Sequence, residues 1–283
     1  MHAPELPDVA RDPERTQEGR VRLRYEDLAQ DGRMKADVVP FAMSEICWRQ
    51  LLVRHAMTAR LQAEGILPIL RRLIVAADET PLSTMAEPEV TGSFGLALAR
   101  AKGGDRFLLE LTAELRGPRG RTFAKVDRAG EVERVARVYG EHVFTRLFAP
   151  PEQRQVRALP EGLAVQAERP WVEPEDLLRA DDACVEGEPV TRAMRFALVH
   201  TDSNQHVNSL AYPRIFEEVA LEAWGEPWLG RGFDVAYRKP CFAGDEVVIH
   251  AQRVRRGEAR GARVWLEVEG EARPRCAARL WFR

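Results

Sequence analysis

Residues 191–224 read TRAMRFALVHTDSNQHVNSLAYPRIFEEVALEAW, and the pattern of this stretch indicates the fold. Its first apolar residues stand at every second position: Met194, Phe196 and Leu198. This alternation predicts a half-buried β-strand, which a polar loop follows. Apolar residues then recur at the spacing of one helix face: Tyr212, Ile215, Phe216, Val219 and Ala223. Gly225 and Pro227 are typical of the end of such a helix.

Four further strands are predicted after this helix. Their apolar residues alternate over four segments: residues 233–238, 245–254, 262–270 and 275–283. Short turns that contain glycine, such as RRGEARG at 255–261, separate some of the segments and favour an antiparallel meander. A sheet of this kind can wrap a single helix and bury one face against it.

The N-terminal half repeats this order of elements weakly. A strand (21–27), a polar loop (28–34) and a helical run (42–63) are predicted first. Candidate strands follow at four places: residues 71–79, 89–99, 106–115 and 120–128. The segment 131–148 has helix-like spacing and is predicted to close the unit as a helix. Two copies of one unit indicate an internal duplication and an α+β fold class.

The chain is predicted to consist of four segments. Residues 1–20 are a polar tail, and 21–148 form the first unit. Residues 149–189 are rich in Pro, Glu and Arg, which indicates a connector, since the stretch is long for a loop inside one compact domain. Residues 190–283 form the second unit.

Composition excludes several classes of protein. With 42 basic and 44 acidic residues the net charge is -2, so the chain lacks the overall electrostatic footprint of a nucleic-acid-binding protein. No apolar run approaches the roughly 18 residues of a membrane span. The start of the chain lacks the apolar core of a secretion signal, and the four cysteines are scattered, so reduced thiols in the cytoplasm are expected. No metal or other cofactor is expected.

The polar loop holds the densest cluster of reactive groups. Asp202, Asn204 and His206 stand at alternate positions just before the second helix. A carboxylate or imidazole there can activate water or attack directly, and the unpaired N–H groups of a helix start can polarise a carbonyl oxygen. Such a cluster suits acyl transfer or hydrolysis. The competing interpretation is structural, because Asn208 or Ser209 could simply cap the helix.

At this loop the sequence resembles the acyl-acyl carrier protein thioesterases, the plant plastid type and their bacterial relatives. The family stretch D-x-N-Q-H-V-N-N-x-x-Y reads here DSNQHVNSLAY from Asp202 to Tyr212, with Ser209 in place of the second Asn. The segment VAYRKPCFAGDEVVIHA at 235–251 resembles the family's Y-R-x-x-C segment and the strand after it. The resemblance implies a double hotdog fold, in which two units each wrap a long helix in an antiparallel β-sheet.

The resemblance carries catalytic roles to Asp202, Asn204 and His206, and it matches Cys241 to a cysteine once proposed as the family nucleophile. The residue before that cysteine is an acid in the plant-type enzymes, and here it is Pro240. Glu217 and Glu218 on the helix are substitutes in principle, although a solvated helix face explains them more simply. Cys241 is expected to be a buried thiol and not the nucleophile, because a reactive thiol needs exposure and a lowered pKa.

The predicted function is hydrolysis of fatty acyl thioesters on acyl carrier protein or coenzyme A, with the acyl chain in the first unit. Asp202 would act as the base or as the nucleophile, and the sequence leaves both roles open. The N–H groups of Val207 to Leu210 would stabilise the oxyanion. The substrate-binding residues are predicted as a set: Val207, Asn208, Ser209, Tyr212 and Cys241. A hotdog hydratase or dehydratase, or a non-catalytic acyl-binding module, is the alternative.

Four other residues receive structural interpretations. His200 is expected to pair with Asp202, and His55 to be a satisfied histidine of the first helix. Asp27 and Asp31 lie in the loop of the first unit that parallels the polar loop. That loop has no Asn-x-His, so only the second unit is predicted to carry a full site. The oligomeric state stays open, a homodimer included.

Overall fold

The computed structural model describes residues 6–179, 184–226 and 229–282. These residues form two compact units, which divide between Trp171 and Val172. No helix within the described residues is long and apolar enough to cross a membrane.

The N-terminal unit is built on an antiparallel sheet. Its strands are β1 (Thr16–Arg20), β2 (Leu67–Ala77), β3 (Glu89–Ala101), β4 (Gly104–Pro118) and β5 (Val132–Thr145). They are ordered β1-β3-β4-β5-β2, and the short β6 (Ala167–Pro170) pairs in parallel with β3. The central strands β4 and β5 therefore have a hydrogen-bonded neighbour on each side.

A helical run packs on this sheet. It comprises α1 (Val39–Met43), a π-helix (Ser44–Leu51), a 3-10 turn (Leu52–Arg54) and α2 (Ala56–Ala63). Ile46 and Cys47 in the π-helix are completely buried. They approach Gly92 of β3 so closely that a Cβ atom there would lie 2.7 Å from Cys47 Sγ and 2.9 Å from Ile46 Cγ2. The predicted helical run at 42–63 is confirmed, although it is not one continuous α-helix.

Three predictions for this unit are wrong. Residues 21–27 contain a 3-10 turn (Tyr25–Asp27), while the strand that precedes the helical run is β1, inside the predicted polar tail. Residues 120–128 form no strand. The predicted helix at 131–148 is the strand β5. Because β5 lies between β4 and β2 and is buried on both faces, its apolar residues do not alternate, and their spacing imitates that of a helix.

The C-terminal unit contains α3 (Pro174–Leu178), α4 (Ala211–Trp224) and five strands. The strands are β7 (Cys184–Arg195), β8 (Gly232–Tyr237), β9 (Glu246–Arg256), β10 (Ala259–Glu267) and β11 (Cys276–Trp281). Their order is β8-β11-β10-β9-β7, with antiparallel pairing throughout. The predicted meander is confirmed for β9, β10 and β11, but β8 pairs with β11 and not with β9. The start of β7 lies inside the predicted connector.

Helix α4 follows the predicted pattern. Its buried residues form one stripe: Tyr212, Pro213, Ile215, Phe216, Val219, Ala220 and Trp224. Pro213 lies in the first turn, where its missing N–H breaks no helical hydrogen bond. Gly225 ends the helix with a φ of 69°, in the left-handed region that favours glycine. Pro227, the second predicted stop signal, lies outside the described residues. Leu198 was predicted to be buried in a strand, but β7 ends at Arg195 and Leu198 is 79% exposed in a 3-10 turn.

Candidate active site

The polar loop between β7 and α4 is closed by its own backbone. Thr201 and Val207 form an isolated antiparallel bridge, and the Asn208 N–H donates to the His200 carbonyl oxygen at 2.8 Å. At the tip, the Gln205 N–H donates to the Asp202 carbonyl oxygen at 3.0 Å, and Gln205 takes a φ of 65°. These contacts fold the residues between the two bridge partners into a tight turn.

The Asp202 carboxylate is held at both oxygen atoms. Its Oδ1 accepts a hydrogen bond from the Asn204 backbone N–H at 2.8 Å, and its Oδ2 accepts one from the Asn208 side-chain Nδ2 at 2.9 Å. Asp202 is half-buried. The carboxylate is therefore oriented by the loop, while part of the residue stays open to solvent.

Asn208 contributes both ends of its side-chain amide. Besides the bond from Nδ2 to Asp202, its Oδ1 accepts from the Leu210 N–H at 2.8 Å, next to the start of α4. The N-cap residue of α4 is Leu210, which makes no side-chain capping bond, so Asn208 orders the turn that leads into the helix rather than capping it. This role is not exclusive, because the same side chain reaches the carboxylate.

His206 and Asn204 are less firmly held. The His206 Nδ1 atom lies 3.2 Å from the Val207 carbonyl oxygen, so a tautomer with the proton on Nδ1 can donate there and leave Nε2 as an acceptor. Asn204 is exposed, and its side chain has no hydrogen-bond partner among the described residues. No side-chain hydrogen bond joins His206 to Asp202 within the described part of the chain. His200 does not pair with Asp202; its Nδ1 accepts from the Ala197 N–H at 2.9 Å.

Hydrogen bonds from β8 and from the segment after it support the loop and the start of α4. The Val207 N–H donates to the Cys241 carbonyl oxygen at 2.7 Å, and the Cys241 N–H donates to the Tyr212 hydroxyl at 3.0 Å. The Tyr237 hydroxyl donates to the Ser209 carbonyl oxygen at 2.8 Å. Val207, Tyr212 and Cys241 are buried, so their observed contacts are those of a support; substrate contact from them stays a prediction.

The Cys241 thiol does not have the surroundings of a nucleophile. The side chain is fully buried, and this burial raises the pKa of the thiol, an effect that hydrogen bonds from Tyr212 and Arg275 only partly offset. Burial also raises the pKa of the neighbouring Cys276 thiol well above its ordinary value. All four cysteines are free, and Cys184 is the exposed one.

An arginine occupies the surroundings of Pro240, where plant-type enzymes carry an acid. Arg275 Nη1 donates to the Pro240 carbonyl oxygen at 3.1 Å and to Asp245 Oδ2 at 2.7 Å. Asp245 Oδ2 also accepts from the Phe242 N–H at 3.1 Å. Glu271 binds Arg275, and this pairing, with smaller contributions from Arg238 and Lys239, lowers the pKa of Glu271 to about 2. The carboxylates beside Pro240 are thus engaged in ion pairs.

The acids of α4 are also engaged elsewhere. Glu218 and Glu222 both pair with Arg192 of β7, the Glu218 contact being 3.0 Å. Glu217 accepts from the Gly230 N–H at 2.8 Å. The interpretation of Glu218 as part of a solvated face agrees with its exposed position.

The corresponding loop of the N-terminal unit has a structural character. Asp27 is buried and pairs with Arg24 Nη2 at 2.8 Å, and Asp31 pairs with Arg33. His55 caps α2, its Nδ1 accepting from the Met57 N–H at 3.1 Å. No group of His, Cys, Asp or Glu in the described residues is arranged to hold a metal ion.

Two features of the site were missed by sequence reasoning. One is the hydrogen bond from Asn208 to Asp202. Asp202 follows Thr201 and Asn208 follows Val207, so the bridge between Thr201 and Val207 brings the two side chains together. The other is a set of exposed apolar side chains on the segments that flank the loop: Leu198, Val199 and Phe242. The alternation that predicts a buried Leu198 does not hold there, because β7 ends at Arg195. Two surface cavities, of about 480 and 580 Å³, lie in the N-terminal unit and include no residue of the loop.

Comparison with known proteins identifies the fold. No protein-family model matches the chain, and no curated protein matches it. Among solved structures, it is similar to a protein described as an oleoyl thioesterase from Lactobacillus plantarum, with a TM-score of 0.63, 16% identity and 95% of each chain covered.

Two further structures match over nearly their whole length. An acyl-ACP thioesterase from Bacteroides thetaiotaomicron has a TM-score of 0.61 at 14% identity, covering 95% of this chain and 98% of its own. The 12:0-ACP thioesterase from Umbellularia californica has a TM-score of 0.61 at 15% identity, with coverage of 95% and 94%. These likenesses confirm the predicted α+β double hotdog fold, which the chain shares with these thioesterases.

Proposed function

We propose that this chain hydrolyses fatty acyl thioesters carried on acyl carrier protein or coenzyme A. The observation that carries the proposal is the Asp202 carboxylate, which two hydrogen bonds hold in a solvent-accessible loop directly before a helix. The fold supports it, since the similar structures include named acyl-ACP thioesterases. A carboxylate fixed in this way is suited to general base or nucleophilic chemistry.

In the proposed reaction Asp202 takes a proton from a water molecule as the water oxygen attacks the thioester carbonyl carbon. The C–S bond then breaks, and the proton passes to the leaving thiolate. His206 and Asn204 orient the water and the substrate. The alternative is that the Asp202 carboxylate itself attacks the carbonyl carbon. Turnover in water enriched in oxygen-18 would reveal that attack if the label is found in Asp202.

The proposed oxyanion donor is the Ser209 N–H. Of the four N–H groups predicted for this role, those of Val207, Asn208 and Leu210 already donate to acceptors within the unit. The Ser209 N–H meets no acceptor among the described residues, and Ser209 lies two residues before α4, near the helix end whose dipole favours a negative charge. A preorganised donor of this kind stabilises the developing oxyanion.

We further propose that the apolar interior of the N-terminal unit holds the acyl chain. Each buried CH₂ group contributes about 0.8 kcal/mol, so the depth of such a site can select chain length. The exposed Leu198, Val199 and Phe242 offer apolar surface near the loop for a substrate that approaches from solvent. The cytoplasm is the proposed location, which the four free thiols support.

The experiment is a thiol-release assay with acyl-CoA and acyl-ACP substrates of several chain lengths, run on the wild type, Asp202→Asn and His206→Ala. We expect each variant to lose turnover on the order of 100-fold or more, the usual scale of general acid–base help. Loss of enoyl absorbance without thiol release would point to a hydratase. Tight acyl binding without either reaction would point to a binding module, and normal turnover in both variants would remove the assigned roles.

A further inference from the structure

We propose that Asn208 is a positioning residue that fixes the plane of the Asp202 carboxylate, and that substrate contact is not its role. The inference rests on the proposed function, because it explains how the carboxylate of that function is kept in a productive orientation. Asn208 acts through Asp202 and touches no reacting atom.

The argument begins with the two oxygens of Asp202. The terminal torsion of an aspartate is broad, so one hydrogen bond leaves the carboxylate free to rotate about its Cβ–Cγ bond. The Asn204 N–H holds only Oδ1, at 2.8 Å, while Asn208 Nδ2 holds Oδ2, at 2.9 Å. The second bond therefore removes the remaining rotation. Fixed orientation of a reacting group is worth a large factor in rate, and a displacement of about 1 Å can cost on the order of 100-fold.

Asn208 is itself rigidly placed. Its backbone N–H donates to the His200 carbonyl oxygen at 2.8 Å, its carbonyl oxygen accepts from the Ala211 N–H at 2.9 Å, and its Oδ1 accepts from the Leu210 N–H at 2.8 Å. With the amide oxygen committed to Leu210, the amide nitrogen must point away from the helix start, toward Asp202. The loop and the helix start thus determine the direction of the carboxylate.

Mutation can separate the role of the Asn208 amide nitrogen from that of the amide oxygen. Serine and aspartate both supply an oxygen that can cap a helix start, so Asn208→Ser and Asn208→Asp retain an acceptor for the Leu210 N–H. Both variants lose the N–H donor to Asp202, and aspartate also brings a second carboxylate toward the first. A purely structural role for Asn208 predicts that these variants behave like the wild type, whereas a positioning role predicts loss of turnover without loss of stability.

The test measures kcat, KM and Tm for thiol release by both variants, with Ser203→Ala as the control. Ser203 is exposed in the same loop and holds none of the contacts above. We expect kcat to fall about 10-fold to 100-fold in Asn208→Ser, with KM within about twofold and Tm close to that of the control. In an Asp202→Ala background Asn208→Ser should have no further effect, because there is no carboxylate left to position.

Three results would overturn the inference: a kcat equal to that of the control, a fall in kcat that persists undiminished in the Asp202→Ala background, or a fall matched by lost stability. If the wild type releases no thiol from any thioester, the proposed function fails, and a crystal structure of Asn208→Ser then decides the positioning role alone. An Asp202 carboxylate that keeps its place there refutes the role, and one that rotates away supports it.

Discussion

His142 should make the stability of this protein fall steeply below neutral pH. The residue lies on β5 and is 5% exposed, with its ring edge-on to Trp48 at 5.2 Å between centroids. Its buried Nδ1 atom has no hydrogen-bond partner among the described residues. Burial lowers the pKa of His142 from 6.5 to about 4, because the charged ring would lose its hydration, and backbone carbonyls of Leu109 and Gly140 compensate only in part.

The direction of the effect follows from which state binds the proton. Above pH 6.5 both the folded and the unfolded histidine are neutral, and the group contributes nothing to the pH dependence. Between 6.5 and about 4 the unfolded chain takes up a proton that the folded protein refuses, so the free energy of unfolding falls as pH falls. At 1.36 kcal/mol per pKa unit, the total loss is about 3 kcal/mol.

The assay compares the wild type with His142→Leu by urea unfolding from pH 7.5 to 4. Carboxylates also titrate in this range, but their contribution is common to both proteins and cancels in the difference. We expect the wild type to lose about 3 kcal/mol more than His142→Leu over the range. Parallel curves for the wild type and His142→Leu would refute the reasoning.

Two further outcomes are expected. Cys241→Ala and Cys241→Ser should keep most of the thiol-release activity, because the Cys241 thiol is fully buried and its pKa is raised. A thiol mechanism would instead be established by two results together: abolished turnover in both variants with unchanged Tm, and an acyl adduct on Cys241 in the mass spectrum of the wild type. Gly92→Ala should lower the free energy of unfolding by about 1–3 kcal/mol, because the new Cβ atom would collide with Cys47 and Ile46. Gly95→Ala is the control: its new Cβ atom would lie 3.8 Å from the nearest atom, so the same urea titration should show a much smaller loss.

The clearest sequence signals come from elements with one buried and one solvated face. The stripe of α4 and the strand β9 show clear periodicity for that reason. The predicted positions of β10 and β11 also agree with the structure, although both strands are mostly buried on both faces. The sequence of β5 wrongly predicts a helix, because burial on both faces removes the alternation that identifies a strand. β1 was missed because it is short and carries the polar sequence TQEGR, whose strand character comes from pairing with β3.

At the candidate site, the sequence shows the residue types but not their bonds. The proposed acyl chemistry rests on aspartate, asparagine and histidine before a helix, a pattern that needs no coordinates. Which donor meets which oxygen depends on the left-handed turn at Gln205 and on the pairing of Thr201 with Val207. Neither feature has a sequence signal of its own, since glutamine is not a residue that favours positive φ.

The support of the loop also bears on the proline at position 240. The segment after β8 is tied to the loop by the Cys241 carbonyl oxygen, which accepts from the Val207 N–H, and to α4 by the Cys241 N–H, which donates to the Tyr212 hydroxyl. Pro240 contributes its carbonyl oxygen, which Arg275 binds. Residues 240 and 241 make these bonds with their backbone atoms, so the side chain at 240 supplies none of the contacts that shape the loop. Arg275, which binds the Pro240 carbonyl oxygen, already forms ion pairs with Asp245 and Glu271. Under the proposed function, the proton transfer that a second acid would share therefore falls to Asp202, and this makes the orientation of its carboxylate by Asn208 more consequential in this chain.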